Sequence, residues 1–260
     1  MNREVKVPFP PGRIVSLVPS QTELLFHLGL DSEIAGITKF CIHPSDKVSE
    51  KIKIGGTKKT DFRKIQSIAP DLIIANKEEN EESDIKMLMD NYPVWISDVK
   101  TLSHALAMIR SVGELTGKKV ESLKLVGEIN TAFEKFRKSE TSSPGFPTPA
   151  TVCYMIWNDP YMTVGSDTFI HEMIELAGFQ NIFQDTVRYP VVSEAELTRR
   201  SPQYVFLSSE PFPFKGKHVE ELKNILPESK IILVDGEVFS WYGSRLLKAP
   251  EYFRYLKTFL

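Results

Sequence analysis

Apolar positions with the spacing of an α-helix mark residues 118–139, KKVESLKLVGEINTAFEKFRKS. They gather on one face at 3.6 residues per turn, opposite Glu and Lys: Leu125, Val126, Ile129, Phe133 and Phe136. At about 1.5 Å per residue this helix would be roughly 33 Å long. The following residues, 140–149, are rich in Pro and Ser, as is typical of a connector. The pattern predicts one long helix between two halves of the chain.

The two halves repeat one order of elements. Residues 65–78 (IQSIAPDLIIANKE) and 197–210 (LTRRSPQYVFLSSE) each predict a short helix, a Pro turn, an apolar strand and a polar tip ending in Glu. Continuously apolar strands are typical of sheets covered on both faces. The alternative is that any two strand–helix units share this order. We predict an α/β protein with two Rossmann-like lobes with parallel sheets, residues 1–117 and 141–260, joined by a backbone helix at 118–140.

Polar residues before two helical stretches predict helix starts. Ser20, with Glu23 three residues later, fits a capping box before a helix at 21–28. Ser166 or Asp167 would cap a second helix at 168–177. Asp167, His171 and Glu175 recur on one face of that helix. They could orient a catalytic histidine, but a cap followed by solvent-facing polar residues is the interpretation we favour.

Composition excludes several classes of protein. A length of 260 residues allows two separate cores. The net charge of −2 gives no electrostatic case for nucleic-acid binding. No stretch approaches the ~20 apolar residues of a membrane span. The N-terminal residues lack the apolar core of a secretory signal, so a cytoplasmic location is expected if Met1 is the native start. Removal of a signal peptide would instead give a periplasmic or lipid-anchored protein.

Four segments resemble motifs of the helical-backbone (class III) substrate-binding proteins of ABC importers. In chain order they are residues 14–29 (IVSLVPSQTELLFHLG), 65–75, 167–183 (ending GFQNIF) and 192–202 (VSEAELTRRSP). The likeness covers roughly residues 13–260 and is greatest to the branch that binds vitamin B12. Other branches serve haem and ferric siderophores. The resemblance implies a transport-related binder that captures its ligand between two lobes and has no intrinsic cofactor.

The chain departs from that family at several positions. In importer-linked relatives a surface glutamate on each lobe docks arginines of the permease. The matching positions here hold Arg63 and Ala195, although Asp61, Glu194 and Glu196 stand beside them. Two aromatic residues that cup the ligand in the B12-binding relative become Thr57 and Tyr189. Together with the missing signal sequence, these departures make an ABC permease partner doubtful, and we interpret the chain as a signal-less, cytosolic offshoot of the family.

The family fold would bring the loops after the strands together at one cleft. The expected ligand-binding residues there are Lys58, Asn76, Glu78, Trp157, Tyr161, Arg188, Tyr189, Glu210, Trp241, Tyr242 and Arg245. Flat rings offer a large contact area to a planar macrocycle, and the cations could hold carboxylates, amide oxygens or phosphate. Glu78 and Glu210 could accept hydrogen bonds from amide groups of the ligand or bind a cation. The alternative is that the aromatic residues at 212–214 and 241–242 only pack the lobes together.

Cys41 and His43 lie in a loop before Pro44, so both side chains could reach outward. A thiolate and an imidazole are ligands that zinc or cobalt accepts. They are candidate donors to the metal of a bound ligand. The alternatives are a polar pair that lines the cleft, or a partly buried Cys with a surface His.

The leading hypothesis is a non-catalytic protein that binds a corrinoid, such as cobalamin, or a related metal chelate. One alternative is an enzyme that modifies a cofactor or metal chelate, with His43, Glu210 or Asp159 as acid–base groups. Another is an importer-linked binding protein for haem or a ferric siderophore. The chain contains no G-x-G-x-x-G motif, phosphate loop or nucleophile elbow.

Overall fold

The computed structural model of the protein describes residues 4–142 and 149–259. Contacts between residues divide the chain into two compact units, and each unit is built from three separate segments of the sequence. Unit 1 comprises Met1–Val99, Ser103–Thr131 and Trp241–Leu247, and unit 2 comprises Lys100–Leu102, Ala132–Ser240 and Lys248–Leu260. Both units are α/β, as predicted.

Unit 1 contains a parallel sheet with helices in its connections. Its elements, in chain order, are β1 (Ile14–Ser16), α1 (Pro19–His27), β2 (Ile34–Ile37), α2 (Ser45–Val48), β3 (Ile52–Lys53), α3 (Phe62–Ile68), β4 (Leu72–Asn76), α4 (Glu82–Met89), β5 (Val94–Ser97), α5 (Leu102–Leu115) and the first part of α6 (Lys119–Ser142). The first residue of α5, Leu102, is grouped with unit 2. The strand order in the described residues is β3-β2-β1-β4-β5, and each pairing is parallel. All five residues of β4 are buried, which confirms the strand predicted from its apolar run.

Unit 2 contains a second sheet that is mainly parallel. Its elements are β6 (Ala150–Asn158), β7 (Tyr161–Thr163), α7 (Phe169–Leu176), β8 (Phe179–Asn181), α8 (Glu194–Arg200), β9 (Tyr204–Ser208), α9 (Gly216–Ile225), β10 (Lys230–Val234), α10 (Gly236–Ser240) and α11 (Ala249–Lys257). The order is β10-β9-β6-β7, with β8 also paired to β6. β7 runs antiparallel to β6, which the prediction of parallel sheets did not include. Only two residues separate β6 from β7, and a connection that short joins antiparallel strands.

The predicted likeness of the two halves is present in the local structure. Asp61 and Ser193 cap α3 and α8, each accepting a backbone N–H three residues later at 3.2 Å. Both helices have seven residues and end at a left-handed residue, Ala69 (φ 49°) or Ser201 (φ 44°). A proline follows each, and a buried strand comes next.

The predicted caps of α1 and α7 are wrong. α1 begins at Pro19 with Val18 at its N-cap, and no side chain caps it. Proline at the first helical position has no N–H to satisfy and a φ suited to the helix, so Ser20 lies inside the first turn. α7 is capped by Thr168, whose hydroxyl accepts the His171 N–H at 3.2 Å.

Asp167 and Glu175 are exposed, as the solvent-facing interpretation predicts, and His171 is partly buried. Asp167 has a φ of 63° and pairs with Lys100 at 2.8 Å. His171 Nδ1 lies 3.3 Å from the amide nitrogen of Asn181, and Glu175 accepts the Asn181 backbone N–H at 3.3 Å. The last two residues therefore hold β8 against α7.

The long helix was predicted within a few residues. α6 covers Lys119–Ser142, and its five predicted apolar positions are buried, each 8% exposed or less. The division into units falls inside it, between Thr131 and Ala132. No helix among the described residues is long and apolar enough to cross a membrane.

Residues Trp241–Leu247, here called the C-terminal strap, belong to unit 1 by their contacts. The sequence analysis predicts them in the C-terminal lobe, residues 141–260. The strap includes a 3₁₀ helix, Ser244–Leu247, that packs on α1. A Cβ at Gly243 would lie 2.7 Å from the backbone oxygen of Ser20, so the strap backbone approaches α1 very closely.

Candidate functional site

The loop after β4 in unit 1 is held by two buried asparagines. The Asn76 side-chain oxygen accepts the N–H groups of Glu78 and Glu79 at 2.8 and 3.1 Å, and its amide nitrogen donates to Ser97. Asn80 donates to the backbone oxygens of Leu17 and Thr57, both at 3.1 Å. Asn76 is only 1% exposed, so its observed role is to shape the loop. Its predicted contact with a ligand stays a prediction.

Lys58 and Glu78 come together at the edge of unit 1 where the strands end. The Lys58 ammonium donates to the Glu78 backbone oxygen at 2.6 Å. Lys58 is exposed and Glu78 is partly buried. The structure thus places a cation and a carboxylate, two of the predicted site residues, on adjacent loops.

The outward orientation predicted for Cys41 is wrong. Cys41 is 2% exposed, and its sulfur lies 3.2 Å from the Thr22 hydroxyl and 3.3 Å from that of Thr38. Burial raises the pKa of this thiol above its usual range. Within residues 4–142 and 149–259, no three His, Cys, Asp or Glu side chains form a group able to hold a metal ion.

His43 instead contacts an aromatic ring of the strap. Its imidazole and the Trp241 indole meet edge to face, with centroids 5.5 Å apart. Trp241 and Tyr242 are only 6% and 5% exposed. The described contacts of Trp241 are packing contacts within unit 1, and its contact with a ligand stays a prediction.

The strap is joined to α1 by a buried ion pair that the sequence did not predict. Arg245 donates to both carboxylate oxygens of Glu23, at 3.1 and 2.8 Å. The two side chains are 7% and 15% exposed, and the guanidinium lies 4.8 Å from the Trp241 ring centroid. Glu23 therefore fixes Arg245, rather than capping α1 as expected.

In unit 2 the end of β6 presents an exposed aromatic ring. Trp157 is 39% exposed, and its indole N–H donates to the Asp159 backbone oxygen at 3.0 Å. Phe212, in the loop after β9, meets it edge to face at 5.6 Å. Of the predicted tryptophans at the site, Trp157 offers the larger surface to a ligand.

A further predicted residue, Tyr161, follows Trp157 closely in the chain. Tyr161 begins β7 and packs against the core of unit 2. Burial raises the pKa of its phenol, and the charge of Glu194 adds to that shift. A neutral phenol is therefore the form present near neutral pH, and it can both donate and accept a hydrogen bond.

Arg188 and Tyr189 form a local cation–π pair. The guanidinium carbon lies 5.6 Å from the tyrosine ring centroid. Arg188 has a φ of 63°, and its backbone bonds to Ser166 and Gly165. Arg188 is exposed and Tyr189 is partly buried, and their predicted contact with a ligand stays a prediction.

Glu210 follows β9 and is held from two sides within unit 2. The Ser240 hydroxyl donates to its Oε1 at 2.5 Å, and the Ser208 hydroxyl donates to its backbone oxygen at 2.5 Å. A Cβ at Gly236 would lie 2.8 Å from the Glu210 Cγ. The carboxylate is therefore placed by α10 as well as by its own strand.

The two positions at which the resemblance predicts docking glutamates lie on α3 and α8. Arg63 and Ala195, in the first turns of α3 and α8, are exposed. Neighbouring Asp61 caps α3, and Glu196 accepts from Arg200 at 3.2 Å. Glu194 is exposed as well.

Comparison with known proteins places this geometry in context. A family described as Periplasmic binding protein matches residues 14–225. The chain is 25% identical over 261 residues to an uncharacterized ABC transporter substrate-binding lipoprotein, YvrC, of Bacillus subtilis, covering 96% of this chain and 81% of the relative. It is also 25% identical over 251 residues to a vitamin B12-binding protein of Pectobacterium atrosepticum, covering 93% of this chain and 86% of that relative.

A solved structure supports the fold. The periplasmic vitamin B12 binding protein BtuF of Vibrio cholerae matches with a TM-score of 0.81 at 23% identity, covering 96% of this chain and 98% of that chain. The class III fold expected from the four sequence motifs is confirmed by this match.

Proposed function

Because the chain belongs to the periplasmic binding protein family, we propose that it captures a corrinoid or a related metal chelate as a solute-binding protein. The family and its relatives are solute-binding proteins rather than enzymes. The vitamin B12-binding relative from P. atrosepticum supports the corrinoid as ligand class. Cobalamin would be cargo and not an intrinsic cofactor.

The observation that carries this proposal is the exposed Trp157 ring beside Phe212, at the strand ends of unit 2. A large ring backed by a second ring offers apolar area with little conformational freedom to lose. Arg188 and Tyr189 would add a cation and a further aromatic group. Such a mixture suits a large ring system that carries amide or carboxylate groups.

The relatives also bear on location and partner. The B. subtilis relative is named a lipoprotein of an ABC transporter, and the V. cholerae structure is named periplasmic. The cytoplasmic expectation has no support in these relatives, and we propose a location outside the cytoplasm. We also propose that docking to a permease by glutamates is lost, because Arg63 and Ala195 occupy the expected positions.

A titration tests the proposal. Purified protein is titrated with hydroxocobalamin, cobinamide, haem and a ferric siderophore, followed by visible absorption and calorimetry. We expect saturable one-to-one binding of a corrinoid and recovery of the ligand unchanged. Failure of all four to bind would overturn the proposal, and chemical conversion of the ligand would favour an enzyme.

Two variants connect binding to the predicted surface. Trp157→Ala should weaken corrinoid binding at least about tenfold, since it removes most of the exposed indole. Tyr255→Ala is the matched control, because Tyr255 is an aromatic residue of the same unit, 59% exposed on α11. Equal affinity for Trp157→Ala and the wild type would remove Trp157 from the site.

A further inference from the structure

The Trp157 ring is the outer member of a set of packed rings in unit 2. Phe212 contacts Trp157 at 5.6 Å, and it contacts two further rings, Phe214 at 4.8 Å and His218 at 5.3 Å. Phe214 and His218 also contact each other at 5.4 Å. Phe212 thus links an exposed ring to two buried ones.

His218 is fixed more firmly than the other rings. It is 3% exposed and lies in the first turn of α9. The Lys215 backbone N–H donates to the His218 Nδ1 at 2.8 Å. The His218 backbone N–H donates to the Lys215 backbone oxygen at 2.9 Å. Because Nδ1 accepts, the imidazole proton lies on Nε2. The ring plane is therefore set by the backbone at the start of α9.

We propose that His218 is a positioning residue for ligand capture: it fixes Phe212, and through Phe212 the exposed Trp157 ring that receives the ligand. A binding ring that is held before the ligand arrives loses less freedom on binding. His218 itself is 3% exposed, so in this proposal it acts through Phe212 and not by contact with the ligand. This inference rests on the proposed function, since it assigns a support to the same binding surface.

Fluorine NMR tests the positioning directly. The chain has three tryptophans, so 5-fluorotryptophan gives three resonances, and Trp157→Phe identifies the Trp157 signal by its loss. His218→Ala should shift or broaden that signal and leave the signals of Trp95 and Trp241 in place. His218→Phe restores the ring volume beside Phe212 but not the acceptor for the Lys215 N–H, so it should return the wild-type signal only in part.

Binding is measured on the same variants with hydroxocobalamin. His218→Ala should raise Kd about tenfold, equivalent to about 1.4 kcal/mol, and His218→Phe should recover the affinity only in part. Leu222→Ala is the matched control, because Leu222 is buried on the same helix and in the core cluster that contains Phe214. It should destabilise the unit without moving the Trp157 signal.

The outcomes separate the two proposals. A Trp157 signal unchanged in His218→Ala, or moved equally in Leu222→Ala, overturns the positioning role. A shifted signal with unchanged affinity overturns its role in capture. If the wild type binds no corrinoid, the proposed function fails, while the NMR result still decides whether His218 fixes Trp157. Should His218→Ala not fold, Phe212→Leu removes the linking ring from a partly buried position and must shift the same signal.

Discussion

Breaking the ion pair between Glu23 and Arg245 on one side only should destabilise unit 1, because it leaves the other partner buried without its counter-charge. Glu23→Gln keeps the side-chain shape but leaves the guanidinium buried without its carboxylate. Both side chains are 15% exposed or less, so solvent screens the pair little. Removing one partner of a buried pair costs about 3–5 kcal/mol. Because glutamine retains one acceptor oxygen, we expect a loss of about 3 kcal/mol in the free energy of unfolding.

Differential scanning calorimetry measures this loss. At roughly 2–4 °C per kcal/mol for 150–250 residues, the transition of unit 1 should fall by roughly 6–12 °C. Glu82→Gln is the matched control, since it breaks an exposed pair with Lys86 in the same unit. Exposed pairs contribute little, and this variant should melt close to the wild type.

A double variant isolates the cause. Replacing Glu23 and Arg245 together by methionine removes both charges and keeps apolar volume, which is often nearly neutral for buried pairs. The double variant should therefore be more stable than Glu23→Gln, with a favourable coupling energy in the mutant cycle. A Glu23→Gln transition no lower than that of Glu82→Gln would refute the reasoning.

Four other predictions follow from local geometry. Gly243→Ala should lower the melting temperature, because its Cβ would lie 2.7 Å from a backbone oxygen of α1. Gly127→Ala, with nothing within 4 Å in helix α6, should instead stabilise by about 0.5–1 kcal/mol. Cys41, buried and with a raised pKa, should resist a thiol reagent until denaturant is added. The hydrogen bond from Arg200 lowers the pKa of Asp185. The ionised Asp185 side chain therefore stabilises the folded state at pH values above its unfolded pKa, about 3.9. This stabilisation is lost as the pH falls through the lower pKa of the folded state. Asp185→Asn should accordingly make the free energy of unfolding depend less on pH at the acid end of the profile.

Much of the fold could be predicted because its signals are local. The continuous apolar runs of β4 and β9 can only be buried strands or buried helix, and their length and flanking prolines favour strands. The apolar face of α6 gave its bounds within a few residues. The cap of α1 was wrong because Ser20 and Glu23 fit a capping box before residue 21, whereas the helix begins two residues earlier, at Pro19.

The candidate site was less accessible to sequence reasoning because its supports are distant in the chain. Glu23 and Arg245 are 222 positions apart, and no local pattern connects them. Cys41 is buried by Thr22 and Thr38 only once the strands and α1 are assembled. His218 stands in the charged stretch KGKHVEELK, where it resembles a surface histidine. The sequence was enough to name candidate polar and aromatic residues of the site. It did not predict the contacts that hold those side chains in place.

The membership of the strap in unit 1 has a consequence for synthesis on the ribosome. Residues 132–240 of unit 2 are translated before Trp241–Leu247, which complete unit 1. The nascent N-terminal half therefore leaves the exit tunnel with α1 still lacking Arg245 and the close contact at Gly243. Its final packing must wait for nearly the whole polypeptide, so the first unit made is not the first to be finished.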